Sequence, residues 1–173
     1  MRLSLVGFIV WVGLSVSTAA VWADAPAAVS QPASDLVGTH FPNLQIKDQH
    51  DVPVTLPGAA AVIVFANAKA VDEWADPVLA AYGRQQMDEH HVVYLSDIHR
   101  MPWLIGKMIA LPKLRERKYS VALIRDELEA PVLAGTEKGC LKWIQVQSGK
   151  IALIAPVCTP EALKFRLDSL AAR

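Results

Sequence analysis

Both cysteines of this 173-residue chain lie at the ends of one segment, CLKWIQVQSGKIALIAPVC, which runs from Cys140 to Cys158. Ser148 and Gly149 separate its two apolar halves, so the segment predicts a β-hairpin. With a two-residue or a three-residue loop, Cys140 and Cys158 fall opposite one another or within one residue of that register. Facing Cα atoms are about 5 Å apart, a spacing that suits a disulfide. We therefore expect the two cysteines to be bonded.

The first 23 residues, MRLSLVGFIVWVGLSVSTAAVWA, have the three-part layout of a secretory signal peptide. Arg2 precedes an apolar run from Leu3 to Val16, and small residues lead to a cleavage position after Ala23. Cleavage predicts a periplasmic protein without stable membrane insertion. An uncleaved membrane anchor is the alternative, because the apolar stretch is nearly long enough to span a bilayer.

The rest of the chain has the size of one domain. Residues 24–37 are rich in Ala, Pro and Ser and predict a flexible linker, so the folded domain is expected over residues 38–173. The 17 Lys and Arg residues balance 17 Asp and Glu residues. This neutral charge argues against a nucleic-acid partner, because such proteins carry basic surfaces.

Apolar periodicity predicts strands and helices that alternate along the domain. Residues 44–56 show period-two alternation on both sides of a polar break, as in a hairpin. Residues 60–66 and 92–96 are continuous apolar runs, typical of strands that are buried on both faces. Residues 71–82 carry the apolar stripe of a helix, in which Pro77 is expected to cause a kink.

The second half of the domain continues this pattern. Residues 102–118 predict a helix that Pro112 breaks or bends, and residues 120–126 predict a short strand. After the hairpin that carries the cysteines, Thr159 and Pro160 have the residue types of an N-cap and a first helical position. They predict a final helix with three leucines directed inward, Leu163, Leu167 and Leu170.

Three stretches in this order resemble the thioredoxin-like superfamily, and specifically its extracytoplasmic branch of peroxiredoxins and thiol-disulfide oxidoreductases of cytochrome maturation. They are FPNLQIKDQHDVPVTL as a leading hairpin, AVIVFANAKAVDEW as a strand that enters the first helix, and SVALIRDELEAPVLAGTEKGCLKWIQVQSGKI toward the C-terminus. The resemblance implies an α/β fold of three layers. A mixed central sheet is flanked by helices and carries an N-terminal β-hairpin.

Two positions depart from that superfamily. Its active members carry a Cys-x-x-Cys motif or a peroxidatic cysteine at the start of the first helix, where the helix dipole lowers the thiol pKa. Residues 66–74 of this chain, ANAKAVDEW, contain no cysteine. The superfamily also places a cis-proline at the start of its next-to-last strand, and here that position falls on or beside Cys140. The resemblance therefore implies a protein that lacks the standard redox motif.

Two functions are compatible with the cysteine pair. As a structural staple, the Cys140–Cys158 bond pins an edge strand, for which Pro156 is suited, to the start of the last helix. The chain is then a non-catalytic interaction or structural module with an unidentified protein partner, no catalytic residue, no cofactor and no metal. Alternatively, it is an atypical periplasmic thiol-disulfide oxidoreductase, in which the Cys140 sulfur faces the start of the first helix. We favour the staple.

Three histidines and three methionines suggest copper ligands, since imidazole and thioether groups suit that metal. They are His90, His91, His99, Met87, Met101 and Met108. The preferred interpretation is a solvated helix end with methionines in the core, because adjacent histidines in a strand point to opposite faces.

Charged and apolar residues around the predicted helices also have two interpretations each. Asp72 and Glu73 are expected to be first-turn acids favoured by the helix dipole. Four basic residues near the end of the next helix are expected to meet exposed carbonyls and water rather than a partner: Lys113, Arg115, Arg117 and Lys118.

Residues 102–111 are apolar over more than one helix face. We expect core packing there, with a protein or self-association surface as the alternative.

Overall fold

The computed structural model describes residues 33–127 and 130–172. The predicted signal peptide and most of the predicted linker lie outside the described residues, so both stay predictions. Within the linker, Ala33–Leu36 forms a short helix, α1. The chain is attached to the sheet from Gly38 onward, because the Gly38 amide donates to the Ile151 carbonyl over 2.8 Å.

In the described part of the chain, strands and helices follow in the order that apolar periodicity predicts. The strands are β1 (Leu44–Asp48), β2 (Pro53–Leu56), β3 (Val62–Ala66), β4 (Val92–Asp97), β5 (Val121–Ile124), β6 (Leu141–Gln147) and β7 (Lys150–Val157). The longer helices are α2 (Lys69–Glu89) and α5 (Pro160–Ala171). Two short helices, α3 (Trp103–Ile105) and α4 (Leu111–Arg115), are joined by a π-helical turn at Gly106–Ala110.

The strands form one mixed sheet in the order β2-β1-β5-β4-β3-β6-β7. Its central strands β5, β4 and β3 are parallel, and the hairpins β1-β2 and β6-β7 extend it antiparallel on both sides. β3 is buried over its full length, as its continuous apolar sequence predicts. The carboxyl ends of the parallel strands share one edge of the sheet, which is where ligands bind in many α/β proteins.

The two faces of the sheet are covered differently. One face includes Val64 and Trp143 and packs against α2, α4 and α5; we call it the helical face. The other includes Ile63 and is covered by Phe41 and by residues 130–133; we call it the loop face. Successive residues of β3 therefore divide between the two faces, as strand geometry requires. The three layers agree with the prediction, although in the described chain irregular segments cover the loop face.

Helix α2 is longer than predicted, and it is irregular at a glycine. The residue with non-helical dihedral angles inside α2 is Gly83, at φ 83° and ψ 157°, whereas the kink expected at Pro77 stays a prediction. A positive φ is easiest for glycine, so the helix breaks there. Pro77 removes one backbone donor but keeps a helical conformation.

Pro112 alters the next helix without ending it. Because proline has no N–H group, it cannot make the regular bond to the carbonyl four residues earlier. The preceding N–H group, on Leu111, bonds to the Gly106 carbonyl, five residues back, which gives the π-helical turn. The helix then continues to Arg115.

The predicted start of the last helix is confirmed. The Thr159 hydroxyl accepts a hydrogen bond from the Ala162 amide over 3.2 Å, and Pro160 takes the first helical position. Leu163 and Leu167 are buried against the helical face, as predicted. This cap begins directly after Cys158, so the disulfide lies where the last strand passes into the last helix.

Candidate functional site

Cys140 and Cys158 are bonded across the β6-β7 hairpin. Their sulfur atoms are 2.02 Å apart and their Cα atoms are 4.0 Å apart. Cys140 is only 2% exposed, whereas Cys158 is exposed at the surface. The bond therefore joins a buried position before β6 to an exposed position after β7.

The hairpin reaches this register through a short loop and an irregularity. Ser148 and Gly149 both have positive φ, 51° and 75°, as a two-residue type I′ turn requires. The register then shifts between Gln145 and Val146, so that β7 contributes one extra residue. The sequence left the loop length open, and a two-residue loop combined with a β-bulge is the arrangement that brings the cysteines opposite one another.

Strand alternation separates the disulfide from helix α2. Leu141 and Trp143 of β6 belong to the helical face, where α2 packs, whereas Ile144 belongs to the loop face. Successive side chains of a strand point to opposite faces, so Cys140 lies on the loop-face side together with Lys142. In the redox interpretation, the Cys140 sulfur is expected to face the start of α2. This register instead favours a position on the opposite face of the sheet.

The start of α2 carries no group that is suited to thiol chemistry. Ala68 is the N-cap residue and makes no side-chain capping hydrogen bond. Lys69 forms an exposed ion pair with Glu73 at 3.2 Å. Glu73 therefore has a surface lysine as its partner. The expectation that it is a first-turn acid is wrong, because α2 begins at Lys69 and the acid of its first turn is Asp72.

A buried lysine holds the segment that precedes the disulfide. Lys142 is 7% exposed, and its ammonium group donates to the carbonyls of Val132, at 3.0 Å, and Ala134. Burial lowers the pKa of Lys142, because the charged form loses hydration. The two carbonyls compensate in part, and they fix the segment over the loop face.

A network of charged and phenolic groups, which the sequence did not indicate, lies beside α2. Arg117 donates to both carboxylate oxygens of Asp72, at 3.0 and 2.6 Å, and forms an ion pair with Asp76 at 2.9 Å. Tyr94 donates to Asp72 over 2.7 Å, and Tyr119 donates to Asp76 over 2.6 Å. The expectation that Arg117 meets exposed carbonyls and water is wrong, and Asp72 is a member of an ion-pair network.

Burial and the acids set the protonation of this network. Burial raises the pKa of Tyr94 well above its usual range, and the charge of Asp72 raises it further. Burial and the hydrogen bond to Asp76 likewise raise the pKa of Tyr119. Burial alone would lower the pKa of Arg117, but the hydrogen bond and charge of Asp72 outweigh it and raise that pKa. The tyrosines are thus neutral donors, and the arginine is a fixed cation.

A second charged group ties the β1-β2 hairpin to the rest of the sheet. Asp51 accepts from Arg125 at 2.7 Å and from Arg115 at 3.2 Å. The same arginines also donate to the backbone carbonyls of Asp48 and Gln49, each over 2.9 Å. The hydrogen bond and charge of Arg125 lower the pKa of Asp51. Arg115 therefore also departs from the expectation of a solvated helix end.

The copper candidates occupy different environments. Met87 is in the core at 3% exposure, and Met108 is 66% exposed. His99 and Met101 line one cavity. The six predicted candidates therefore do not form one ligand set.

Among the described residues, one group of His, Cys, Asp or Glu side chains could hold a metal ion, namely Glu137, Cys140 and Cys158. Their ligand atoms lie within 4.8 Å of one another. In this structure the two sulfurs are joined to each other, and thiolates rather than disulfide sulfurs are metal ligands. While the bond is intact, the group offers a metal only the carboxylate of Glu137.

The helical segment around the π turn is the most exposed apolar part of the described chain. Leu104, Ile105, Met108 and Ile109 are 57%, 46%, 66% and 54% exposed. We call these four residues the apolar patch. The preferred expectation of core packing is wrong for them, because the helix uses Leu111 and Leu114 to contact the helical face.

No family model matches this chain, and no curated protein matches it. Solved structures match its fold. Peroxiredoxin Q of Xanthomonas campestris superposes with a TM-score of 0.53 at 14% identity, over 79% of this chain and 97% of that one. Peroxidoxin BcpB of Mycobacterium tuberculosis gives 0.51 at 13% identity, over 79% and 96% of the two chains.

A Chlorobium tepidum protein assigned as the thiol:disulfide interchange protein DsbE gives a TM-score of 0.51 at 13% identity, over 77% of this chain and 93% of that one. At such low identity the similarity shows the fold, which is thioredoxin-like, as predicted. Within the described residues, no helix is both long and apolar enough to cross a membrane.

Proposed function

We propose that this chain is an exported thioredoxin-fold protein that binds a protein partner and performs no thiol chemistry. The observation that carries the proposal is the place of the disulfide. Cys140 and Cys158 are bonded to each other on the loop-face side, whereas α2 packs on the helical face and begins at Lys69 without a cysteine. The positive end of a helix lowers the pKa of a thiol only within its first turn, so α2 has no thiol to activate.

Export to a periplasm is part of the same proposal. Residues 1–23 have the layout of a signal peptide, and disulfides persist in oxidising compartments such as the periplasm. The bond would add stability there by restraining the unfolded chain, by about 3 kcal/mol for a loop of this length.

The apolar patch is the surface through which we propose that the partner binds. Adjoining apolar side chains at this level of exposure are typical of interaction sites. Arg100 and Lys113, at the two ends of the segment, are exposed cations. Charge complementarity therefore favours a protein surface with an apolar centre and an acidic rim.

The absence of thiol chemistry is tested with the purified protein in insulin-reduction and peroxidase assays. We expect background rates in both, and the same background for Cys140→Ser. Turnover by the unmodified protein that disappears in Cys140→Ser would overturn the proposal.

The binding surface is tested with a cross-linked partner recovered from the native periplasm and then purified. We expect Leu104→Ser/Met108→Ser to weaken its binding at least tenfold at unchanged thermal stability. Phe165→Ser is the control, because Phe165 is 72% exposed on α5, outside the apolar patch. Equal effects of both changes would contradict this surface, as would patch-dependent dimers or binding to lipid vesicles in place of the partner.

An atypical thiol-disulfide oxidoreductase is the second candidate, and the exposure of Cys158 is the observation that favours it. A partner thiolate would attack the Cys158 sulfur, form a mixed disulfide and release the Cys140 thiolate. A second partner thiol would then resolve the mixed disulfide, leaving the partner oxidised and this chain reduced. Trapping of a specific partner on Cys158 in the Cys140→Ser protein would support this candidate over the first.

A further inference from the structure

A cavity of about 680 Å³ opens at the carboxyl ends of β4 and β5. Its lining includes Ile98 and His99, which follow β4, and Arg125 and Asp126, which follow β5. It lies at the same edge of the sheet as the disulfide, on the other side of β3. Both its position and its volume are those of small-molecule sites in α/β proteins.

The polar groups of this cavity converge from two strands. His99 Nδ1 lies 2.6 Å from Asp97 Oδ1, and the His99 amide donates to the same oxygen over 3.0 Å. The carboxylate holds the ring, so that Nε2, on the opposite side of the imidazole, is the nitrogen free to contact a ligand. The two side chains are only 24% and 13% exposed, so this orientation is well protected from solvent.

Arg125 contributes a donor that the protein leaves unused. Its two terminal nitrogens donate to Asp51 and to the Asp48 carbonyl. Its Nε atom is buried and has no hydrogen-bond partner among the described residues. That nitrogen is shielded from the cavity, but the side chain as a whole is 33% exposed. Each terminal nitrogen carries two hydrogens, so a ligand carboxylate can accept from the terminal N–H groups that these two bonds leave over.

The walls between these polar groups are apolar. Ile98, Met101 and Leu111 contribute them, while the charged residues of the lining are three cations and two acids. A guanidinium beside apolar walls suits a carboxylate that is attached to an aliphatic or aromatic body. Asp51, one of these two acids, already accepts from Arg125, so a ligand carboxylate would share the guanidinium with it.

We propose that this cavity binds a small organic carboxylate, with Arg125 and His99 as its polar contacts and the apolar walls around its carbon skeleton. The carboxylate belongs to a free acid or to the C-terminus of an apolar peptide. The proposal does not depend on the state of the disulfide or on the apolar patch.

The test is an NMR titration of the purified, isotope-labelled protein with benzoate and with benzamide, its neutral counterpart. We expect benzoate to shift the amides of Ile98, His99, Leu111 and Arg125 in a saturable way. Benzamide is expected to bind at least tenfold more weakly. Equal binding of both probes, or shifts confined to other residues, would overturn the proposal.

A substitution of Arg125 could disturb the fold, because this residue bonds to Asp51 and to the Asp48 carbonyl. Two matched variants therefore test the site without changing Arg125. Met101→Glu places a negative charge in the cavity wall and is expected to weaken benzoate binding at least tenfold. Met108→Glu makes the same change on the exposed side of the adjoining helical segment and is expected to bind benzoate as the unmodified protein does. Unchanged binding by Met101→Glu, or an equal loss in both variants, would contradict the site.

The source of the carboxylate is distinguished with an acetylated Leu-Leu-Phe peptide and its C-terminal amide. Tighter binding of the free-acid peptide than of benzoate, with loss of binding in the amide, would identify a peptide C-terminus. Exclusion of the peptide while benzoate binds would identify a free acid. Both results support a carboxylate site, whereas equal binding of the peptide and its amide at this cavity would contradict it.

Discussion

The helical face and the loop face of this sheet bury comparable strands, yet different interactions hold their coverings in place. Helices α2 and α5 lie on the helical face, where the Arg117 network ties α2 to the neighbouring strands. The loop face is covered by irregular segments that are held at a few points: the disulfide, the Lys142 ammonium group and the strand-like pairing of residues 38–41 with β7. The helical face should therefore lose stability as a unit with the whole domain, and the loop face should open locally.

Arg117→Met should have the largest effect, a loss of about 3 to 5 kcal/mol, because it leaves two partly buried carboxylates without their cation. The loss should appear in urea unfolding and should raise hydrogen exchange throughout the sheet. Arg84→Met is the control, since its exposed pair with Asp88 is expected to contribute less than about 1 kcal/mol. Equal losses for the two changes would show that the Arg117 network stabilises the helical face no more than an exposed ion pair does.

Replacement of both cysteines by alanine should cost about 2 to 4 kcal/mol, because the unfolded chain gains freedom when the loop is no longer closed. The domain should still fold, since the core clusters of both faces are made of side chains other than the two cysteines. Amides of residues 150–157 should exchange faster than those of β3 and β4. An equal rise everywhere in the sheet would contradict local opening of the loop face.

Lys142→Met should cost about 2 kcal/mol, because the buried Val132 carbonyl and the Ala134 carbonyl lose their donor. Faster exchange is expected at residues 130–139, ahead of the central strands. Lys138→Met is the matched control, since Lys138 is exposed. An Lys142→Met protein as stable as this control would show that the ammonium group does not hold the loop face.

Tyr119→Phe should have the smallest effect at neutral pH, a loss of about 1.5 kcal/mol, from one hydrogen bond to a carboxylate. The pKa of Tyr119 is raised in the folded state, so its contribution is complete below the usual tyrosine pKa of about 10 and falls as the pH rises above it. The stability difference between the two proteins should therefore shrink between pH 9 and 11, as measured by urea unfolding at each pH. A constant difference over that range would contradict the raised pKa.

The sequence predicted the parts of the fold that local patterns determine. The apolar run at 60–66 gave β3 within two residues, and Thr159 with Pro160 gave the start of α5, because a buried strand and an N-cap each have a local signature. The disulfide pairing could also be anticipated, since one hairpin carries both cysteines.

The parts that were missed depend on contacts between distant segments. Asp72 and Arg117 are 45 residues apart, and a basic cluster has the same composition whether water or a carboxylate meets it. The apolar patch was expected in the core, because hydrophobicity does not say which side of a helix the sheet will cover. The break at Gly83 likewise depends on how α2 packs, since Gly83 and Pro77 both weaken a helix.

The reduction potential of the Cys140–Cys158 pair tests most directly whether the bond is a structural staple in a protein without thiol chemistry. It is measured on the purified protein by equilibration with dithiol redox buffers and quantification of free thiols. A structural staple is expected to have a reduction potential below about −300 mV, which glutathione-type reductants cannot reduce. A potential near about −200 mV or higher, in the range of disulfide-exchange proteins, would contradict the account and assign the pair to redox exchange.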